Sequence, residues 1–302
     1  MMTDHDHISV CICTYQRPEL LENLLRHLAR QETRDLFTYS VVVADNDVQE
    51  SGRSVVERVA ADMPCSITYC VEARQNIARA RNLVILHATG NWLAFIDDDE
   101  FPGPEWLVTL FECCRKYEVN GVLAPVLPHF EKEPPAWIVK GGFYDRPRHE
   151  TGFVIDWNEG RTGNVLLKRS ILSDQEEPFR PEFGSGGEDR DFFKRMIGRG
   201  YRFVWCDEAS VYETVPQVRW SRSFMLRRAL LRGKVSLTAP ASRPLALLKS
   251  FVAIPAYALA LPFLLAWGHH AFMKCLIRIC DHLGRLLAFF GVEPVKQKYV
   301  VE

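Results

Sequence analysis

The sequence predicts an α/β protein with a mainly parallel central sheet flanked by helices, followed by a helical, membrane-associated C-terminal segment. Three observations carry this expectation. Apolar runs of strand length alternate with helix-period stretches over residues 8–96. Polar or acidic residues stand directly after these runs, at Thr14, Asp45 and the successive Asp97, Asp98 and Asp99. From about residue 222 the chain becomes basic and then strongly apolar.

The elements follow in order. "ISVCIC" (8–13) is a continuous apolar run and reads as a buried strand. After "TYQRP", leucines at 20, 21, 24, 25 and 28 recur with helical spacing. "YSVVVADN" (39–46) is a second strand, "SGRSVVERVAAD" a second helix and "SITYCVE" a third strand. "NIARARNLVILHAT" is a helix closed by Gly90, and "NWLAFI" is a fourth strand that runs into the aspartates. This β-α-β-α-β-α-β order implies parallel strands with helices on both faces. Ligands of such sheets bind beyond the carboxyl ends of the strands, where Thr14, Asp45 and the three aspartates converge.

Residues 121–163 are rich in Pro, Gly and aromatic residues and read as long ordered loops. "GNVLLKRSIL" (163–172) is a further strand leading into a turn or helix, and "GSGGEDRDFFKRMIGRG" is a glycine-rich loop opening a short helix. "SRSFMLRRALLRGK" then gathers basic residues before the apolar run "SFVAIPAYALALPFLLAW", interrupted by Pro255 and Pro262. Its length lies at the lower limit for a membrane span. The last helix sets Lys274, Arg278, Asp281, His282 and Arg285 against Phe272, Leu276, Ile279, Leu283, Leu286 and Phe290, the pattern of a basic amphipathic helix in a membrane interface. Packing of both segments as ordinary core or dimer helices is the alternative. The expected organisation is a disordered N-terminus (1–7), a catalytic domain (8–230) and a basic, apolar helical region (231–302).

Composition narrows the function. A net charge of −1 over 302 residues lacks the basic excess of a nucleic-acid binder. "MMTDHDH" has neither the basic start nor the apolar core of a secretory signal, so a cytoplasmic start is expected. Its His/Asp alternation is compatible with metal binding, but a disordered terminus accounts for it. Nine cysteines without a CxxC pair read as reduced, mostly buried thiols.

Three adjacent carboxylates repel one another unless a cation neutralises them. Alternation along an extended chain would put Asp97 and Asp99 on one side and Asp98 on the other. One pair could then share a hard divalent cation that also takes phosphate oxygens; a solvated acidic loop is the plainer alternative. For Glu188, Asp189 and Asp191, attraction to a helix N-terminus is likewise a sufficient explanation.

Together, "SVCICTYQRPELL", "VVVADND", "ARNLVILHATGNWLAFIDDDEFPGPEWL" and "GEDRDFFKR" resemble, in order and spacing, the inverting family 2 glycosyltransferases of GT-A fold. The resemblance covers about residues 8–215 and extends to bacterial exopolysaccharide glucosyltransferases of the succinoglycan-assembly type. It implies that Thr14 contacts the nucleotide and Asp45 the uracil ring. Asp99 is implied as principal metal ligand, with Asp97 and Asp98 shared between metal and ribose. Arg17 and Arg81 are candidates for the diphosphate, Asp189 is the implied catalytic base, and Gly163 and Asn164 are candidates to line the pocket. The implied cofactor is Mn²⁺ or Mg²⁺ and the implied donor a UDP-sugar.

Processive members carry Gln-x-x-Arg-Trp, whereas "QVRW" (217–220) is one residue too short, so single-sugar transfer is expected. The reading is thus transfer of one hexose, with glucose the leading choice, to a lipid-linked oligosaccharide at the cytoplasmic face of the bacterial inner membrane. Inner-membrane lipids and other polysaccharide-assembly enzymes are the further partners. Two alternatives stand beside it. A sugar nucleotidyltransferase would show a GxGTRL-type loop where "CTYQRPEL" stands. A non-catalytic, membrane-anchored binding protein would not need Asp99 and Asp189.

Overall fold

The computed structural model describes residues 6–184, 186–235, 243–292 and 295. In chain order its elements are β1 (His7–Thr14), α1 (Pro18–Leu28), β2 (Thr38–Asp45), α2 (Arg53–Ala60), β3 (Ile67–Val71), α3 (Ile77–His87), β4 (Trp92–Phe95), β5 (Glu100–Pro102), α4 (Trp106–Lys116), β6 (Gly121–Leu123), β7 (Val126–His129), α5 (Ala136–Gly141), β8 (Val165–Lys168), α6 (Glu188–Gly198), β9 (Phe203–Trp205), β10 (Val211–Thr214), α7 (Arg222–Val235), α8 (Arg243–Trp267) and α9 (His269–Phe289). The chain divides into two units, Met1–His129 with Arg146–Thr214 and Phe130–Asp145 with Val215–Glu302.

In the first unit seven strands run in the order β3-β2-β1-β4-β8-β6-β9. The β1–β2, β2–β3, β1–β4 and β6–β9 pairs are parallel. Strand β8 runs antiparallel to both of its neighbours, β4 and β6. The period-2 alternation of the strands feeds two cores. Ile8, Val10, Ile12, Val41 and Val43 pack with α1, α2 and α4, while Cys11, Val42, Ala44, Leu93 and Phe95 pack with α3 and α6. Helix α1 starts at Pro18, whose missing N–H costs nothing in the first turn, and buries Leu21, Leu24, Leu25 and Leu28. Helix α3 is capped by the Asn76 side chain, which accepts from Arg79 N–H at 3.1 Å, and ends at His87, ahead of Gly90.

A second sheet, β5-β10-β7, holds the segment that follows the aspartates. Residues 121–163 therefore contain β6, β7 and α5 where the sequence suggested only loops.

The second unit gathers Ile138, Val215, Trp220 and Met225, with Phe130, Trp137, Phe143 and Tyr144 packed against them. This aromatic cluster moves the expected boundary: 130–145 and 215–230 belong with the C-terminal helices rather than with a domain ending at residue 230. The 217–220 segment is a 3-10 turn whose Trp220 lies in this cluster. Helix α8 is long and apolar enough to cross a bilayer, and most of it is exposed. On α9, His282 departs from the expected polar face. It is buried, and its Nδ1 lies 3.0 Å from Ser250 Oγ.

Disorder was expected through residue 7, but residues 6 and 7 are ordered. Asp6 accepts from Trp92 Nε1 and Asn91 Nδ2, each at 2.8 Å, and His7 opens β1. Residues 1–5, Ser185 of the glycine-rich loop, and 236–242, 293–294 and 296–302 of the C-terminal region lie outside the described residues.

Candidate active site at the strand switch

Connections from β1 proceed to β2 and β3 on one side, while β4 pairs on the other side of β1. The reversal leaves a crevice beyond the carboxyl ends of β1 and β4. Thr14 ends β1, and Asp97, Asp98 and Asp99 follow β4.

The aspartates do not continue an extended strand. Glu100 N–H donates to Asp97 C=O at 3.0 Å, so the four residues form a turn, and the expected alternation gives way. Asp98 is buried; its Oδ2 accepts from Thr14 Oγ1 at 2.8 Å and its Oδ1 from Arg17 Nη1 at 3.0 Å. The same Arg17 nitrogen reaches Asp99 Oδ2 at 3.3 Å. The two residues sharing a partner are thus Asp98 and Asp99, not Asp97 and Asp99. Asp97, its side chain 46% exposed, turns toward Arg81, whose Nη2 lies 3.6 Å away.

Burial, followed by the repulsion of Asp99, pushes Asp98 up to about 7 despite the nearby Arg17. Glu100, which the sequence reading passed over, is 1% exposed and accepts from Asp97 N–H at 3.2 Å. Burial, and then Asp97 and Asp99, hold it well above the usual carboxylate range. Opposite Glu100 across the antiparallel β5–β10 pair stands Glu213, ion-paired with Arg146. Four adjacent acids with this partial neutralisation form a hard-oxygen donor set that suits Mn²⁺ or Mg²⁺. In the reading proposed below, Asp97 and Asp99 would hold such an ion. Among the described residues no three His, Cys, Asp or Glu side chains form a preformed cage. An ion held here would take one or two carboxylates and complete its shell with water and substrate phosphate.

The structure places two predicted contacts elsewhere. Asp45 is fully buried. Its Oδ1 accepts from Asp47 N–H at 3.0 Å, and its Oδ2 from Gly52 N–H and Tyr69 OH, each at 2.7 Å. The carboxylate braces the β2–α2 loop from inside instead of pointing onto the rim. Arg81, a candidate for the diphosphate, is 7% exposed and ion-paired with the buried Glu188. It therefore ties α6 to Asp97. Asn164 is also internal: Nδ2 donates to Pro125 and Ala209 carbonyls, and Oδ1 accepts from Trp106 Nε1 at 2.7 Å. Its neighbour Gly163 does lie against Asp97 and Glu100.

Helix α6 is preceded by Gly187, which has φ +97° and offers no side-chain cap. Its first turn carries three acids, as the helix dipole favours. Glu188 is taken by Arg81, while Asp191 binds Arg195 at 2.8 Å and Arg180 at 3.4 Å. Asp189 is partly exposed, and among the described residues it forms no ion pair. It directly follows Glu188 in the first turn, next to the residue through which Arg81 links α6 to Asp97.

A sheet that reverses at β1, acids at that switch and a helix N-terminal acid beside them define a GT-A glycosyltransferase fold. The chain belongs to glycosyl transferase family 2, whose family model matches residues 9–172. It is 39% identical over 232 residues to the succinoglycan biosynthesis protein ExoM of Rhizobium meliloti (strain 1021), covering 76% of this chain and 73% of that protein. The mannosyltransferase PcManGT of Pyrobaculum calidifontis, solved with GDP-Man and Mn²⁺, superposes with a TM-score of 0.61 at 20% identity, over 94% of this chain and 88% of that one. S. aureus TarS 1-349, solved with UDP-GlcNAc, gives 0.55 at 14% identity, over 96% and 93%. These two likenesses concern the fold.

Proposed function

We propose that this enzyme transfers a single hexose from a UDP-sugar, with inversion, to a lipid-linked oligosaccharide during bacterial exopolysaccharide assembly. The carrying observation is the division of labour in the first turn of α6: two acids are committed to arginines, and Asp189 is left beside the bridge to Asp97. In this reading Asp189 takes the proton of the acceptor hydroxyl while that oxygen attacks the anomeric carbon. The new glycosidic bond forms as the bond to the diphosphate breaks on the opposite face, and UDP departs. Thr14 and Arg17 fix the orientation of Asp98 and Asp99, while Arg81 holds Asp97 in register with α6. A divalent cation, when bound, supplies Lewis-acid stabilisation of the departing diphosphate.

The succinoglycan protein's name supports the exopolysaccharide setting, and the UDP-sugar and Mn²⁺ in the two solved structures support the donor class and metal. UDP-glucose is the first donor to test. The basic and apolar helices of the second unit support membrane association, which we place at the cytoplasmic face of the inner membrane.

The test incubates full-length protein with labelled UDP- and GDP-sugars, Mn²⁺ or Mg²⁺, and extracted lipid-linked acceptors. One sugar per acceptor from a UDP donor, with loss of at least a hundredfold in Asp189→Asn, is the expected result. Transfer by Asp189→Asn at the wild-type rate refutes the assignment of the base; formation of a nucleotide-sugar bond would mark a nucleotidyltransferase instead.

A further inference from the structure

We infer that α8 lies in the plane of an anionic bilayer surface rather than crossing it, with lipid covering its outer face. The inference rests on the membrane-associated reading above and concerns the second unit alone.

Length and composition alone would permit α8 to span, since 25 residues at about 1.5 Å each exceed the hydrocarbon thickness. The packing of α9 decides the matter. After Gly268 the chain turns back, and Cys275 Sγ donates to Tyr257 C=O at 3.4 Å while Ser250 Oγ lies 3.0 Å from His282 Nδ1. Both contacts fit one antiparallel register along the shared length. Arg278 sits over the Tyr257 ring, 5.9 Å from its centroid. In that register Lys274 and Arg278, both exposed, flank the midpoint of α8 by roughly two residues, or about 3 Å along the axis. A spanning α8 would carry both cations to the bilayer centre, beyond the reach of their own side chains to either interface.

Helix α7 would be drawn in as well. Arg232 Nε and Nη2 donate to Asp281 of α9 at 2.8 and 2.5 Å. Gly233 and Gly284 bring the two backbones too close for any side chain: a Cβ at Gly233 would lie 2.1 Å from Asp281 C=O, and one at Gly284 2.2 Å from Leu230 C=O. The three helices therefore move as one body, and that body suits a surface. The outward side of α8 presents Leu245, Leu248, Val252, Leu259, Phe263 and Trp267, each more than half exposed. Between Arg222 and Phe289 the chain has ten Lys and Arg residues and one acid, Asp281, although its overall net charge is −1. Apolar insertion beside concentrated positive charge is the chemistry that binds anionic headgroups.

The test adds full-length protein to preformed vesicles of phosphatidylglycerol and phosphatidylcholine and measures flotation. A membrane-impermeant amine-acylating reagent is then applied, and modification of Lys249 and Lys274 is read by mass spectrometry before and after detergent. Binding that needs phosphatidylglycerol, loss of at least tenfold in Leu259→Asp, and a Lys274/Lys249 ratio unchanged by detergent within twofold are expected. Binding with Lys274 protected at least tenfold until detergent is added overturns the in-plane geometry and leaves membrane association standing. Absence of flotation removes membrane association itself. Self-association in solution without vesicle binding, abolished by Leu259→Asp, would put a second copy on this face and overturn the inference.

Discussion

Replacing Arg81 with methionine removes a guanidinium held between Glu188 and Asp97, 107 and 16 residues away. Arg81 is 7% exposed and Glu188 5%, and Glu188 Oε2 already lacks a partner among the described residues. Deleting one member of a buried pair costs about 3–5 kcal/mol, because the other charge is stranded. Glu188 has an escape, since it can take up a proton. Burial already raises it above the ordinary value of 4.5 against the pull of Arg81. The cost of Arg81→Met should therefore be near the low end at pH 5 and grow toward pH 8, by up to ~1.4 kcal/mol per pH unit while Glu188 titrates. Arg81→Met/Glu188→Met should recover most of the loss, since a buried pair replaced by well-packed apolar groups is often neutral. Urea unfolding at pH 5 and pH 8, followed by tryptophan emission, measures all three variants. A single-variant cost below about 1 kcal/mol, or additive losses in the double variant, would refute the bridge between α6 and Asp97.

Other expectations follow from the same geometry. Asp191→Asn should lower stability by about 1–3 kcal/mol through loss of Arg195 and Arg180 while retaining most turnover, whereas Asp189→Asn should do the reverse; thermal melts and initial rates on both variants separate the roles. In Glu188→Gln the pH dependence of stability should flatten. The folded-state value is raised, so the wild type loses stability as pH climbs above 4.5, and titration of urea midpoints from pH 4.5 to 8 checks the sign. A Cβ on Gly184 would meet the Asn76 amide at 2.1 Å, so Gly184→Ala should cost about 1–3 kcal/mol by displacing the cap of α3, read as a drop in melting temperature. Burial pushes Cys13 and Cys114 up to about 12, so native protein at pH 8 should resist iodoacetamide at both positions about a thousandfold better than a free thiol, and urea should abolish the difference.

What could be read from the sequence was local. Leucine spacing marked α1, unbroken apolar runs marked β1, β2 and β4, and acids after a strand marked the switch. An apolar run carries no direction, so the antiparallel pairing of β8 was invisible. Strands β6, β9 and β10 are three or four residues long, too short for any period to register. Asp45 and Asp98 look alike as acids beyond strands. Only the fold shows that backbone N–H groups and Tyr69 claim the first, while Thr14 and Arg17 claim the second. The burial of Arg81 could not be foreseen, because the glutamate that allows it lies on another helix, 107 residues further along. Glu100 drew no notice beside the three aspartates; it is the pairing of its strand with β10 that buries it.

Strand β8 between β4 and β6 also bears on how the chain is made. Its neighbour β4 is complete at Phe95, but the residues that pair with its open edge begin at Val165. At about 5–20 residues per second, a ribosome leaves that edge without its partner for roughly 4–14 seconds. The edge is Trp92, Leu93, Ala94 and Phe95, all buried in the finished fold and carrying no charge to deter a neighbouring chain. Until β8 emerges, the chain is exposed to aggregation at the very strand that leads into the three aspartates of the switch. Overexpression, which crowds many such half-made sheets together, should therefore reward slow synthesis at low temperature.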